Sequence, residues 1–253
     1  MLVWRPPAVG DDFVLTGFKE EEWAENIKLS KNRSFSNMPA VKKLIHGLIG
    51  RIRNAKRHYE LKMRHFIRRL KIKHKDFCII SNNCWGGTIY QYFGIEYNTP
   101  TVGLYFGTED FVKFAADLRH YMEQELVFIP WESTTSYDFL RKIGQKPFPV
   151  ARLDDIEIYF MHYDSPEEAL EKWNKRKKRI NYNRLLFKIS DRGNCPREVI
   201  KQFLDLPVKN KICFSCDKMD GAIYVPELRD LFGNEIPILE KYYDKIEVVN
   251  SIR

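Results

Sequence analysis

No stretch of this sequence approaches the roughly 20 consecutive apolar residues that a bilayer-spanning helix needs. The opening MLVWRPPAVGDDF lacks the basic start, apolar stretch and small-residue cleavage site of a secretory leader. Five cysteines in 253 residues, an odd number, make no disulfide framework and read as reduced thiols. A clear D-x-D metal motif is missing, Asp154-Asp155 and Asp191 being the nearest acids, and the six His show no metal-ligand spacing. Hydrophobic residues at 44% and aromatics at 14% exclude a disordered or fibrous chain. The expectation is a soluble cytoplasmic protein with no metal and no cofactor.

Acidic residues are scarce in one place. Residues 42–75 hold thirteen Lys/Arg against the single acid Glu60, a local charge of +12. The whole chain carries +8, so the rest of it carries −4. Apolar residues in the same segment fall at Val41, Leu44, Ile45, Leu48, Ile49, Ile52, Ala55, Tyr59, Met63, Phe66, Ile67 and Leu70. Those steps of three and four predict a long amphipathic helix, with Pro39 suited to its start. One reading packs this helix on the domain with a solvated basic face. Another lays residues 41–74 on an anionic membrane surface. Nucleic acid is not favoured, because no nucleic-acid motif accompanies the charge.

Three segments follow: an arm over residues 1–38 with a short helix around Lys19–Lys28, the basic helix over 39–75, and an α/β domain over 76–253. In the last, Phe77–Ser81, Thr101–Phe106, Ile156–His162, Leu185–Ser190, Lys211–Ser215 and Ile246–Val249 read as strands. Thr88–Phe93, Thr108–Gln124, Pro166–Lys178, Pro196–Asp205 and Val225–Phe232 read as helices. The alternation predicts a three-layer α/β/α sandwich with a mostly parallel or mixed sheet.

In such sheets ligands bind beyond the carboxyl ends of the strands. Four strand candidates run into polar clusters: Ser81-Asn82-Asn83-Cys84-Trp85-Gly86-Gly87, His162-Tyr163-Asp164, Ser190-Asp191-Arg192 and Ser215-Cys216-Asp217. If the strands are parallel, all four share one rim. Gly86-Gly87 would leave helix N–H groups open to an anion, although the loop is neither a Walker loop nor G-x-G-x-x-G. Asn82 and Asn83 suit sugar hydroxyls or phosphate oxygens, and Trp85 could stack on a sugar or base. The plainer reading is a tight turn beside a buried Trp.

Lys172, Lys175, Arg176, Lys177, Lys178, Arg179 and Arg184 form a second basic knot. Arg176 and Arg179 can share a helix face and fork around a phosphate, with Asn181 and Asn183 flanking the next strand. A solvated face is the alternative. His162 or Asp164 could act as general base, and Cys84 as a nucleophile beside a His. Cys213 and Cys216 read as core thiols.

Ser81-Asn-Asn-Cys-Trp-Gly-Gly87, Tyr97-Asn-Thr-Pro-Thr101, Phe160-Met-His-Tyr163 and Trp173…Arg176…Arg179-Ile-Asn-Tyr-Asn183 resemble a bacterial domain family of unassigned function. Its members are commonly labelled exopolysaccharide biosynthesis proteins, from capsule and exopolysaccharide gene clusters. The resemblance runs from about Lys73 to about Ser215. It implies the three-layer fold and a role in surface-polysaccharide assembly, and it supplies no catalytic residues. The expected function is a glycosyltransferase-like enzyme acting on a nucleotide- or lipid-phosphate-activated sugar at the cytoplasmic membrane face. Two alternatives stand beside it: a non-catalytic glycan- or partner-binding protein, and an acyl- or phosphoryl-group transferase. Oligomeric state is left open.

Overall fold

The computed structural model describes residues 39–193, 195–229, 231 and 234–253. The expected arm over residues 1–38, with its short helix around Lys19–Lys28, lies outside them. The chain divides into two compact units, Met1–Tyr59 and Glu60–Arg253. Helix α1 (Pro39–Arg69) supplies everything described of the first unit. Pro39 fits its first turn because that position needs no amide donor. The helix stops at Arg69 instead of running on to Lys75. Beyond it Lys73 N donates to Asn250 Oδ1 at 2.8 Å and leaves the helical ladder.

The second unit is built on β1 (Cys78–Ser81), α2 (Trp85–Phe93), β2 (Tyr105–Phe106), α3 (Thr108–Ala116), α4 (Leu118–Glu123), β3 (Val127–Ile129) and α5 (Tyr137–Lys142). There follow β4 (Val150–Leu153), β5 (Ile156–Tyr159), α6 (Pro166–Lys177), β6 (Leu185–Asp191), α7 (Arg197–Asp205), β7 (Lys211–Ser215), β8 (Ile223–Tyr224), α8 (Ile236–Leu239) and α9 (Lys245–Ser251). The α/β class and the preceding basic helix are as expected. The strands divide between two sheets, a parallel one ordered β1-β6-β7-β8 and an antiparallel one ordered β2-β5-β4-β3.

This division corrects the single rim. Only the clusters after β1, β6 and β7 share the carboxyl edge of the parallel sheet, with Ser81 beside Lys188 and Asp191 beside Ser215. The cluster at His162–Asp164 follows β5 in the antiparallel sheet.

Three segments depart from the sequence reading. Ile246–Val249 is helix, not strand, because Asp244 Oδ1 accepts from Ile246 N and Glu247 N at 2.8 and 2.9 Å and starts α9. The expected helix Thr108–Gln124 breaks at Asp117, whose side chain accepts from His120 N at 3.1 Å and caps α4. Of the expected helix Val225–Phe232, only a single 3-10 turn at Pro226–Leu228 forms among the described residues.

Strand β6 sits centrally and is buried over most of its length. Phe187 and Ile189 enter one apolar cluster, with Phe106, Phe160 and Trp173. Leu186 enters the other, with Trp85, Phe93 and Phe214. Lys188 shares the face of Leu186, as strand alternation requires, and is fully buried.

Candidate functional site

A lysine with no exposed surface needs a partner, since burying an unpaired charge costs several kcal/mol. Lys188 Nζ lies 2.8 Å from Glu235 Oε1, donates to Asn83 Oδ1 at 3.2 Å and also donates to Ser190 Oγ. Glu235, just before α8, collects further donors. Asn83 Nδ2 reaches Oε1 at 2.8 Å, Ser190 Oγ at 2.5 Å, and Arg192 Nε reaches Oε2 at 3.0 Å. Burial alone would raise the Glu235 carboxyl, but Lys188 and Arg192 outweigh it and hold it at about 2. Burial pulls Lys188 below the ordinary lysine range, opposed by Glu235. Every member of this network sits at the carboxyl edge of the parallel sheet or reaches it from the segment before α8.

Above the network lies a small cleft of about 50 Å³, lined by Asn82, Asn83, Tyr105, Thr108, Ser190, Arg192 and Cys195. That is room for a few waters or one phosphoryl group, not for a whole sugar nucleotide. Among the described residues the Arg192 guanidinium bonds only through Nε, leaving both terminal nitrogens uncommitted. Thr108 is the first residue of α3, which no side chain caps among the described residues. A larger hollow of about 550 Å³ borders β3 and β4. Its charged residues are all exposed: Asp154 pairs with His120, Arg152 with Glu157, and Glu123 and Glu125 add negative charge that would repel an anionic ligand.

The residues singled out in the sequence have varied placements. Asn82 bridges β1 to β6, donating to Ser190 O and accepting from Ser190 N at 3.3 and 3.2 Å. Asn83 carries the Lys188–Glu235 pair. Both line the cleft. Ser81 is buried, donating to Asn83 O at 2.7 Å and accepting from Gly86 N at 3.2 Å. Trp85 N donates to Asn83 Oδ1 at 3.1 Å. The start of α2 is therefore satisfied internally and not open to an anion. A Cβ on Gly86 would stand 2.8 Å from Ser81 Oγ, so this glycine serves close helix–strand approach, while one on Gly87 would meet Val102 at 3.4 Å. Trp85 is fully buried against Phe214 and Tyr243 and offers no stacking surface.

Arg176 and Arg179 are committed to protein. Arg176 donates to Tyr163 OH at 2.7 Å and lies 5.0 Å over the Tyr97 ring; Arg179 donates to Tyr97 O and pairs with Glu96 at 2.7 Å. They pin the segment around residues 96–102 and do not fork around a phosphate. Asn181 Nδ2 bonds Asp76 at 2.9 Å while its Oδ1 accepts from Asn183 N, a turn before β6. Asp191 is buried, accepting from Gly193 N at 2.8 Å and from Ser215 Oγ at 2.9 Å. Its carboxylate, Cys216 and Asp217 place ligand-type atoms within 4.8 Å of one another. Asp217, however, is paired with Arg229.

Neither His162 nor Asp164 lines the cleft. His162 N donates to Gly103 O at 3.1 Å, and burial lowers its imidazole pKa. Burial pushes the Cys84 thiol up to about 11, with Lys188 only partly opposing, so the nucleophilic thiolate is disfavoured at neutral pH. Cys195 is likewise raised to about 11 by burial.

Sequence reading missed Lys188 and Glu235. The first left a signal, a lysine inside the apolar run Leu-Leu-Phe-Lys-Ile. The second left none, since Glu235 meets Asn83 from 152 residues away.

A family model described as Domain of unknown function (DUF1919) matches residues 55–250. An "Uncharacterized protein" of Haemophilus influenzae is 31% identical over 200 residues, covering 74% of this chain and 91% of that protein.

Proposed function

We propose that this chain, which belongs to the DUF1919 family, binds the phosphoryl end of an activated sugar at the carboxyl rim of its parallel sheet. On this reading it is a cytoplasmic, glycosyltransferase-like protein of capsule or exopolysaccharide assembly. The observation that carries the reading is Arg192. A buried carboxylate fixes its guanidinium through Nε at 3.0 Å, while among the described residues both terminal nitrogens stay uncommitted beside a phosphoryl-sized cleft. That is the geometry for two-point recognition of phosphate oxygens. Among the described residues no side chain caps the start of α3 at Thr108, which lines the same cleft, while Glu109 and Asp110 in its first turn offset part of the helix dipole. The resemblance of the Ser81–Gly87 and Arg179–Asn183 motifs to exopolysaccharide proteins supports the sugar as the rest of the ligand.

A second reading, a glycan- or partner-binding protein without catalysis, is favoured by one observation. His162, Asp164 and Cys84 all lie outside the cleft lining. The acyl- or phosphoryl-transfer reading through Cys84 gains no support from a thiol held near 11.

Calorimetry with nucleoside-diphosphate sugars and polyprenyl-phosphate sugars tests the binding. The full chain is expected to bind at least one class, and Arg192→Ala to weaken it at least tenfold. Wild-type protein that binds neither class, or an Arg192→Ala chain that binds equally well, would sink the reading. Labelled donor then separates the two versions: turnover with acceptor glycan marks a transferase, stoichiometric retention a binding protein.

A further inference from the structure

An ordinary surface helix turns its apolar side to the domain and its charges to water. The end of α1 that belongs to the Glu60–Arg253 unit does the reverse. Arg68 donates to Tyr92 O at 3.0 Å and stacks 3.8 Å over the Tyr92 ring. Arg69 donates to Phe93 O and Gly94 O, both at 3.1 Å. His65 abuts Gly94, where an added Cβ would stand 2.2 Å from its Nδ1. At about 100° per residue, positions 65, 68 and 69 fall on one side of the helix and 63, 66, 67 and 70 on the other. The body is gripped by the basic side. Met63, Phe66, Ile67 and Leu70 are left exposed, Phe66 by 51% and Leu70 by 70%.

The stretch of α1 in the first unit, taken by itself, shows the same composition. Leu44, Ile45, Leu48, Ile49, Ile52 and Tyr59 recur at steps of three and four and are all exposed, Leu44 by 77%. Lys43, Arg51, Arg53, Lys56 and Arg57 accompany them, with no acid before Glu60.

We propose that α1 lies flat on an anionic lipid bilayer, its apolar residues at the acyl boundary and its Lys/Arg, other than Arg68 and Arg69, at the headgroups. Charge complementarity selects this occupant. A second copy of the helix would cover the apolar residues but set one helix of charge +9 against another. Nucleic acid would meet the charge and leave the apolar residues in water. A bilayer with acidic headgroups answers both. The helix rests on the surface and does not span it: among the described residues no helix is long and apolar enough to cross a membrane. This proposal is independent of the reading of the cleft.

Flotation of the full chain with phosphatidylcholine vesicles, with and without phosphatidylglycerol, tests it. The chain is expected to float with the mixed vesicles and at least tenfold less with the neutral ones. Ile52→Asp and Phe66→Asp, at exposed positions, are each expected to leave the body's thermal melt unchanged and to reduce flotation at least tenfold. The triple reversal Arg51→Glu/Arg53→Glu/Lys56→Glu is expected to do the same. Equal flotation with neutral vesicles, or undiminished flotation of these variants, overturns the proposal. So does a vesicle-free dimer in sedimentation that Ile52→Asp dissolves, or tight duplex binding that Ile52→Asp leaves intact.

Discussion

Lys188 is the residue on which the site depends, because its ammonium has no water to solvate it and must be neutralised by Glu235 at 2.8 Å. Removing Lys188 leaves the buried Glu235 with Arg192 as its one charged partner among the described residues, at a cost of up to about 3–5 kcal/mol. Lys188→Met should therefore destabilise the fold by about that amount in urea titration, and Lys188→Met/Glu235→Gln should recover part of the loss. A double variant no better than the single would show that the pair is not the source of the effect. Glu235 also sets a pH dependence. Its carboxyl stands at about 2 in the folded chain against an ordinary 4.5. The stabilisation from this depressed group is fully present above about 4.5 and is lost as pH falls toward about 2. Its full size is about 3 kcal/mol. The stability gap between wild type and Glu235→Gln should narrow across that window; a gap that stays constant down to pH 2 would refute it.

Single elements show what local sequence determines and what it does not. Helix α1 was legible because its apolar steps of three and four are strong, although its apolar residues stay exposed, and strands β1, β6 and β7 because their apolar runs are largely buried. Strand β4 is absent from the sequence reading, which took Asp154-Asp155 only as acids that form no D-x-D motif. They are the two-residue loop of the β4–β5 hairpin, with Leu153 opposite Ile156 and Asp154 at φ 57°. The β-branched run Ile246–Val249 looked like strand until the Asp244 cap decided for helix; Asp244→Ala should cost about 1 kcal/mol in thermal or urea unfolding. The clusters on β1, β6 and β7 meet because those strands are parallel neighbours, a pairing that no local pattern encodes. The same blindness placed His162 on a shared rim that the antiparallel sheet does not provide. Gly94 ties α1 to the body. At φ +60 it occupies the left-handed region, and His65 fills the space where a side chain would begin. Gly94→Ala should cost at least about 1–2 kcal/mol and expose the Arg68–Arg69 bonds to faster trypsin cleavage. Unchanged cleavage would mean that the helix end is held by other contacts.

For the whole molecule, the +8 total combines a basic segment over residues 42–75 at +12 with a remainder at −4. On the two proposals above, sign and placement give them different partners. The remainder is mildly repelled by an acidic bilayer, so attraction must come from α1. The cleft instead rests on the buried Lys188–Glu235 pair, which salt screens poorly. The two processes should therefore separate with ionic strength. Raising salt from 0.1 M to 1 M shortens the Debye length from about 10 Å to about 3 Å. Flotation with phosphatidylglycerol vesicles should then fall at least tenfold, while the melting temperature of the body changes little. If melting and flotation decline together, the helix charge and the buried pair belong to one electrostatic system, and the division between docking helix and binding cleft is wrong.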